Sequence, residues 1–129
     1  MQVLIVESEP GLAEVWASHL RRQGAAVTTA LSQDAAVQVL QNEDVDVIVL
    51  DLVLEGGSAI AVADFASYRR PEARVVFVTN TSFFSDGSIF RHIPNACAFL
   101  PSATPPADLA AVVGHYGDTP PPLAQTDRS

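Results

Sequence analysis

Apolar residues in this chain come in short runs, separated by stretches in which they recur every three or four positions. Val3, Leu4, Ile5 and Val6 form a run of the first kind and predict a buried strand. Leu12, Val15, Trp16 and Leu20 then recur at the spacing of one helix face, and Gly24 predicts the stop. Residues 26–30 read as a second strand, and Ser32 is a good N-cap for a helix running to about Asn42. Residues 45–50 predict a third strand, Gly56 and Gly57 break the chain, and residues 58–68 predict a third helix. A fourth strand follows over 74–78, then a polar loop over 79–82. The weakest helix of the series is expected over 83–92, because Gly87 lies inside it. Residues 96–100 predict a fifth strand. Leu109, Val112, Val113 and Tyr116 give one apolar face to a last helix, with Pro105 and Pro106 near its start, where proline is tolerated.

Five strands alternating with five helices predict an α/β domain with a doubly wound parallel sheet covered on both faces. The expected domain spans residues 1–116, and the Pro-rich residues 117–129 are expected to form a disordered tail. Sheets of this kind bind ligands beyond the carboxyl ends of their strands. That rule selects Glu7-Ser8-Glu9 after the first strand, Asp51 after the third, Thr79 after the fourth and residues 101–104 after the fifth.

Asp51 is the anomaly in the pattern. It ends the apolar run Val47-Ile-Val-Leu50, and a buried carboxylate is costly unless compensated. Glu7, Asp51 and Glu9 could converge at one sheet edge, and grouped carboxylates suit a hard dication, above all Mg²⁺. A carboxylate is also a competent nucleophile toward phosphorus. A threonine at the next strand end can hydrogen-bond a phosphoryl oxygen. These residues give Asp51 a purpose as a phosphoacceptor beside a metal. The plainer alternative is that Asp51 binds backbone amides of the following loop, that Glu7 is a solvated loop acid, and that Ser8 is an ordinary helix-start residue. Glu55 is expected in an exposed turn.

Composition narrows the field. Fifteen acids against seven cations give a net charge of −8, which argues against a nucleic-acid surface. All seven cations are arginine; the chain has no lysine. Hydrophobic content of 48% and mean hydropathy of +0.22 describe a packed globular chain. The apolar runs are too short to span a membrane and there is no basic n-region of a signal peptide, so a cytoplasmic protein is expected. The single cysteine, Cys97, fits a reducing compartment and reads as a buried, inert thiol. His19, His92 and His115 show no ligand spacing.

The stretches VLIVESEPGLAEVWASHL, VDVIVLDLVLEGG, VVFVTN and CAFLP, in that order and spacing, resemble the receiver domain of bacterial two-component response regulators. The resemblance covers residues 1–116. It implies a flavodoxin-like fold with strand order 2-1-3-4-5 and five flanking helices. It places Asp51 at the phosphoacceptor position, Thr79 at the switch Thr/Ser position and Phe99 at the aromatic position that rotates with the switch. It implies a Mg²⁺ held by Glu7, Asp51 and the backbone carbonyl of Val53. The family's acidic pair is usually Asp-Asp; here it is Glu7-Ser8. The family's Lys-Pro after the fifth strand is absent, and Ser102 stands at the position of the missing lysine. Arginine is no substitute for a compact ammonium, and none lies in this loop.

A charge-assisted hydrogen bond of the kind that lysine would supply contributes roughly 1.5–3 kcal/mol. Its loss, with that of one carboxylate, predicts weak or absent Mg²⁺ binding and weak or slow phosphorylation at Asp51. Two readings follow. The first is a stand-alone receiver without an output domain, charged by a histidine kinase or phosphotransfer protein and acting on an unknown downstream protein, as a homodimer, or as a piece of a longer chain. The second is a pseudo-receiver, an interaction module that works without phosphate. In both, Phe83, Phe84 and Phe90 are candidates for a partner surface, or for rings that cover the sheet. An enzyme on the same fold is disfavoured. No GxGxxG or P-loop is present, no catalytic residue stands out, and the acidic first loop would repel a flavin phosphate. At most the chain assists its own phosphotransfer and dephosphorylation.

Overall fold

Every strand predicted from the short apolar runs forms in the computed structural model, which describes residues 1–79 and 95–118. The order is β1 (Gln2–Val6), α1 (Pro10–Arg22), β2 (Ala26–Ala30), α2 (Gln33–Asn42), β3 (Val47–Asp51), α3 (Ala59–Arg69), β4 (Arg74–Thr79), β5 (Ala96–Pro101) and α4 (Pro106–Asp118). The strands make one parallel sheet in the order β2-β1-β3-β4-β5, the flavodoxin-like doubly wound arrangement. Four helices flank it among the described residues. The helix expected over 83–92, with Phe83, Phe84 and Phe90, lies outside the described residues, as does the tail from residue 119.

The strands are apolar at nearly every position because both faces of the sheet are covered. Alternation along each strand divides the core in two. Leu4, Val6, Ile48, Leu50 and Phe77 pack with α2 and α3 on one side. Val3, Ile5, Val47, Val49 and Val76 pack with α1 and α4 on the other. Strand β1 has β2 on one flank and β3 on the other, so the chain reverses its winding there. The carboxyl ends of β1 and β3 therefore open onto a crevice at the switch point.

The helices follow their local signals, with two departures. Ser32 and Ser58 cap α2 and α3, their Oγ atoms accepting the N–H groups of Ala35 and Ala61, each at 3.2 Å. Gly24, at φ +92°, closes α1 and donates to the Arg21 carbonyl at 2.9 Å. The buried face of α1, however, is Ala13, Trp16, Ala17 and Leu20, while Val15 is 43% exposed. The small alanines bring the helix close to the sheet, and Val15 falls on the outer side of that contact. The second departure is in the last helix, where α4 continues through Gly117 to Asp118. Cys97 is half-buried on β5, and burial pushes its thiol up to about 11, as an inert cysteine requires.

Candidate functional site

The crevice at the switch point is built from loop residues that the strands hold in place. Glu7 directly follows β1, and its N–H donates to the Ala30 carbonyl of β2 at 3.1 Å. Its side chain is turned inward, with only 4% of the residue exposed. Asp51 is the last residue of β3 and is half-buried. The next residue, Leu52, donates its N–H to the Val78 carbonyl of β4 at 2.8 Å, which fixes the chain as it leaves the sheet.

The two carboxyl groups meet. Glu7 and Asp51 are joined by a side-chain hydrogen bond. Each also accepts a backbone N–H two residues downstream, Glu9 to Glu7 Oε2 at 3.0 Å and Val53 to Asp51 Oδ1 at 2.9 Å. Burial is the main force that raises the Glu7 carboxyl; the hydrogen bond to Asp51 and the negative charges of Asp51 and Glu9 add to it. The Glu9 amide opposes them, and the result lies at about 7. Below that pH the Glu7 carboxyl is mostly protonated.

Glu7, Ser8, Glu9, Asp51, Val53, Glu55 and Ser102 line one open depression. Four of these are acids, and no lysine or arginine lies in the lining among the described residues. Ser8 departs from expectation. The residue at the start of α1 is Glu9, which makes no side-chain cap. Ser8 Oγ instead accepts the Glu55 N–H at 2.8 Å, across the mouth of the depression. Glu55 is exposed, as expected of a turn, yet it borders the same depression. Forty-seven residues separate the two, and no local pattern could have signalled the contact.

Thr79 ends β4 and is buried at 1% exposure. It sits one residue beyond Val78, the register partner of Asp51, and outside the lining of the depression. Its carbonyl accepts the Ser102 N–H at 2.8 Å, which is how Ser102 comes to border the depression. Phe99 is half-buried on β5 opposite Phe77 and packs on the core beneath α2 and α3. His19 and His115 lie outside the depression.

The donor set can be tested against a metal. Among the described residues, no group of three or more His, Cys, Asp or Glu side chains is arranged to hold one. What is present is a pair of hard carboxylates at the wall of an open depression, with the Val53 segment beside them. That set fits Mg²⁺, which takes one or two carboxylates and keeps several waters.

A doubly wound sheet with paired carboxyls at its switch point and a threonine at the next strand end has its candidate site where this class of fold binds ligands. The response regulator receiver domain family matches residues 3–88, and the chain belongs to that family. The probable transcriptional regulatory protein TcrX of Mycobacterium tuberculosis is 34% identical over 77 residues. That match covers 60% of this chain and 33% of the relative, so the chain spans about a third of that relative's length. Among solved structures, the non-phosphorylated HemR receiver domain of Leptospira biflexa superposes with a TM-score of 0.83 at 20% identity, covering 94% of this chain and 97% of that one. A CheY-like receiver domain protein of Methanospirillum hungatei superposes with a TM-score of 0.82 at 20% identity, covering 91% and 93%. The response regulator TrrA of Thermotoga maritima, solved in complex with Mg²⁺-BeF, gives 0.77 at 20% identity, covering 89% and 97%. Among the described residues, no helix is long and apolar enough to cross a membrane.

Proposed function

We propose that this receiver accepts a phosphoryl group on Asp51, weakly or slowly, from a histidine kinase or phosphotransfer protein. The observation that carries the reading is the Glu7–Asp51 carboxyl pair at the switch point of the sheet. In the reaction an Asp51 oxygen attacks phosphorus, the bond from phosphorus to the donor breaks, and an aspartyl phosphate forms. The Val53 amide orients Asp51 by holding Oδ1. Glu7, Asp51 and the Val53 carbonyl would hold Mg²⁺, which when bound offsets the charge on the phosphoryl oxygens. Glu7 must part from its hydrogen bond to Asp51 for either event, which adds to the cost of charging the site.

Ser102 offers a neutral hydroxyl in place of an ammonium. A neutral hydrogen bond contributes about 0.5–1.5 kcal/mol against roughly 1.5–3 for a charged one. The shortfall of about 1 kcal/mol predicts several-fold slower or less persistent phosphorylation, not its loss. Thr79 and Phe99 form the route from Asp51 toward β5. A partner face that includes Phe83, Phe84 and Phe90, used for a downstream protein or a second copy, completes the reading. The setting is cytoplasmic. No reaction on another molecule is assigned, and the acidic charge opposes contact with nucleic acid by this chain.

The absence of a cation from the described lining favours a second reading, a pseudo-receiver that binds partners without phosphate. Intact-protein mass after incubation with acetyl phosphate and excess Mg²⁺ separates the two, with Asp51→Asn as control. A gain of one phosphoryl group in the native protein alone supports acceptance at Asp51. No gain, with no Mg²⁺ binding, selects the pseudo-receiver.

A further inference from the structure

The depression is closed along one side by a contact between two loops. Ser8, in the loop between β1 and α1, accepts the backbone N–H of Glu55, in the loop between β3 and α3, at 2.8 Å. The second loop carries Val53, whose N–H holds Asp51 Oδ1, two residues before the clasped amide. The first loop carries Glu7, whose carboxyl meets Asp51. A hydroxyl at position 8 therefore ties together the two segments that present the carboxyl pair. It does so without adding charge to a lining that already holds Glu7, Glu9, Asp51 and Glu55.

We infer that Ser8 is a positioning residue, whose hydroxyl clasps the β3–α3 loop at Glu55 and thereby sets the cation affinity of the Glu7–Asp51 site. The inference rests on the reading of that site as one that takes Mg²⁺. Ser8 is not itself a ligand. It works by holding the segment 53–55 against the carboxyl pair, so that the Val53 segment and the Glu55 carboxylate stay at the rim. The donor set is small, and Mg²⁺ demands near-ideal geometry, so a loop released by one hydrogen bond misplaces a large share of the available oxygens. Threonine keeps the accepting oxygen; alanine removes it.

The experiment is a Mg²⁺ titration of the full-length native protein, Ser8→Ala and Ser8→Thr, followed by amide chemical shifts, with melting temperatures measured in parallel without metal. Ser8→Ala is expected to weaken Mg²⁺ binding about tenfold. Ser8→Thr is expected to recover most of that loss, and the metal-free melting temperatures of the three proteins are expected to agree closely. Native affinity in Ser8→Ala overturns the inference and leaves the site intact. A Ser8→Thr protein as weak as Ser8→Ala overturns it also, because the hydroxyl would then not be the active feature. No Mg²⁺ binding by the native protein overturns the reading of the site itself, and the role of Ser8 falls with it.

Discussion

Glu7 and Asp51 close the switch point of the sheet on each other: their side chains share a hydrogen bond, and each is anchored by an amide two residues further on. Glu7 is the more buried of the two, and its carboxyl holds a proton more firmly than an ordinary glutamate does.

Protonation of Glu7 predicts an unusual pH dependence for the metal-free protein. The carboxyl lies at about 7 when folded, above its ordinary value of 4.5. A raised acid favours the fold fully below the ordinary value, and that favour is lost as pH rises through the folded value. Stability should therefore fall between about pH 4.5 and pH 7, by roughly 3 kcal/mol at most. Urea unfolding at pH 5 and pH 8 in a chelator measures the change. In Glu7→Gln the same comparison should show most of this difference removed; an equal fall in both proteins would show that Glu7 is not its source.

Restoring a cation tests the deficit at the fifth strand. Ser102 borders the depression and is held there by the Thr79 carbonyl. A Ser102→Lys side chain would start from the place from which an ammonium can reach the phosphoryl group. The difference between charged and neutral hydrogen bonds predicts about a five- to tenfold gain in the rate or extent of phosphorylation by acetyl phosphate. Time courses of intact mass read it directly. No gain in a protein that still binds Mg²⁺ would place the limiting defect at Glu7 and Ser8 instead.

The core offers a prediction independent of the site. Trp16 is among the largest fully buried side chains and sits between α1 and the sheet face formed by Val3, Ile5, Val47 and Val49. Trp16→Ala should cost about 3–5 kcal/mol, enough to unfold a marginal domain. Trp16→Phe should cost much less, since it keeps most of the apolar volume. Denaturant midpoints followed by circular dichroism compare all three, because the tryptophan signal is lost with the residue.

Much of the architecture was legible because it depends on local rules. Four-residue apolar runs bounded by turn residues mark strands buried on both faces, and Ser32, Ser58 and Gly24 mark helix ends by chemistry that acts within a few positions. The placement of Asp51, Glu7 and Ser102 around one depression was also foreseeable, since all three follow strand ends that the parallel sheet aligns. Other features were not. Which face of α1 is buried depended on alanines that carry little hydropathy, so Val15 was misplaced. The Ser8–Glu55 contact and the proton on Glu7 depend on the distance between loops remote in sequence. No periodicity encodes such a distance.

Gly57 shows the same dependence on remote neighbours and gives a test of it. A Cβ at this position would clash with the side-chain Cβ of Gln33, the first residue of α2, and would press on its backbone nitrogen at 3.3 Å. The approach is close because Gln33 Oε1 accepts the Ser58 N–H at 2.9 Å, which ties the start of α3 to the start of α2. Gly57→Ala should therefore destabilise by about 1–3 kcal/mol, although its backbone is not in the left-handed region. The clash is with a Cβ, which alanine also carries, so Gln33→Ala should not rescue Gly57→Ala. Gln33→Gly, which removes that atom, should recover part of the loss relative to its own single variant. A double-mutant cycle by urea unfolding measures the coupling. Equal coupling for the two Gln33 variants would show that the glycine serves the turn and not the close approach.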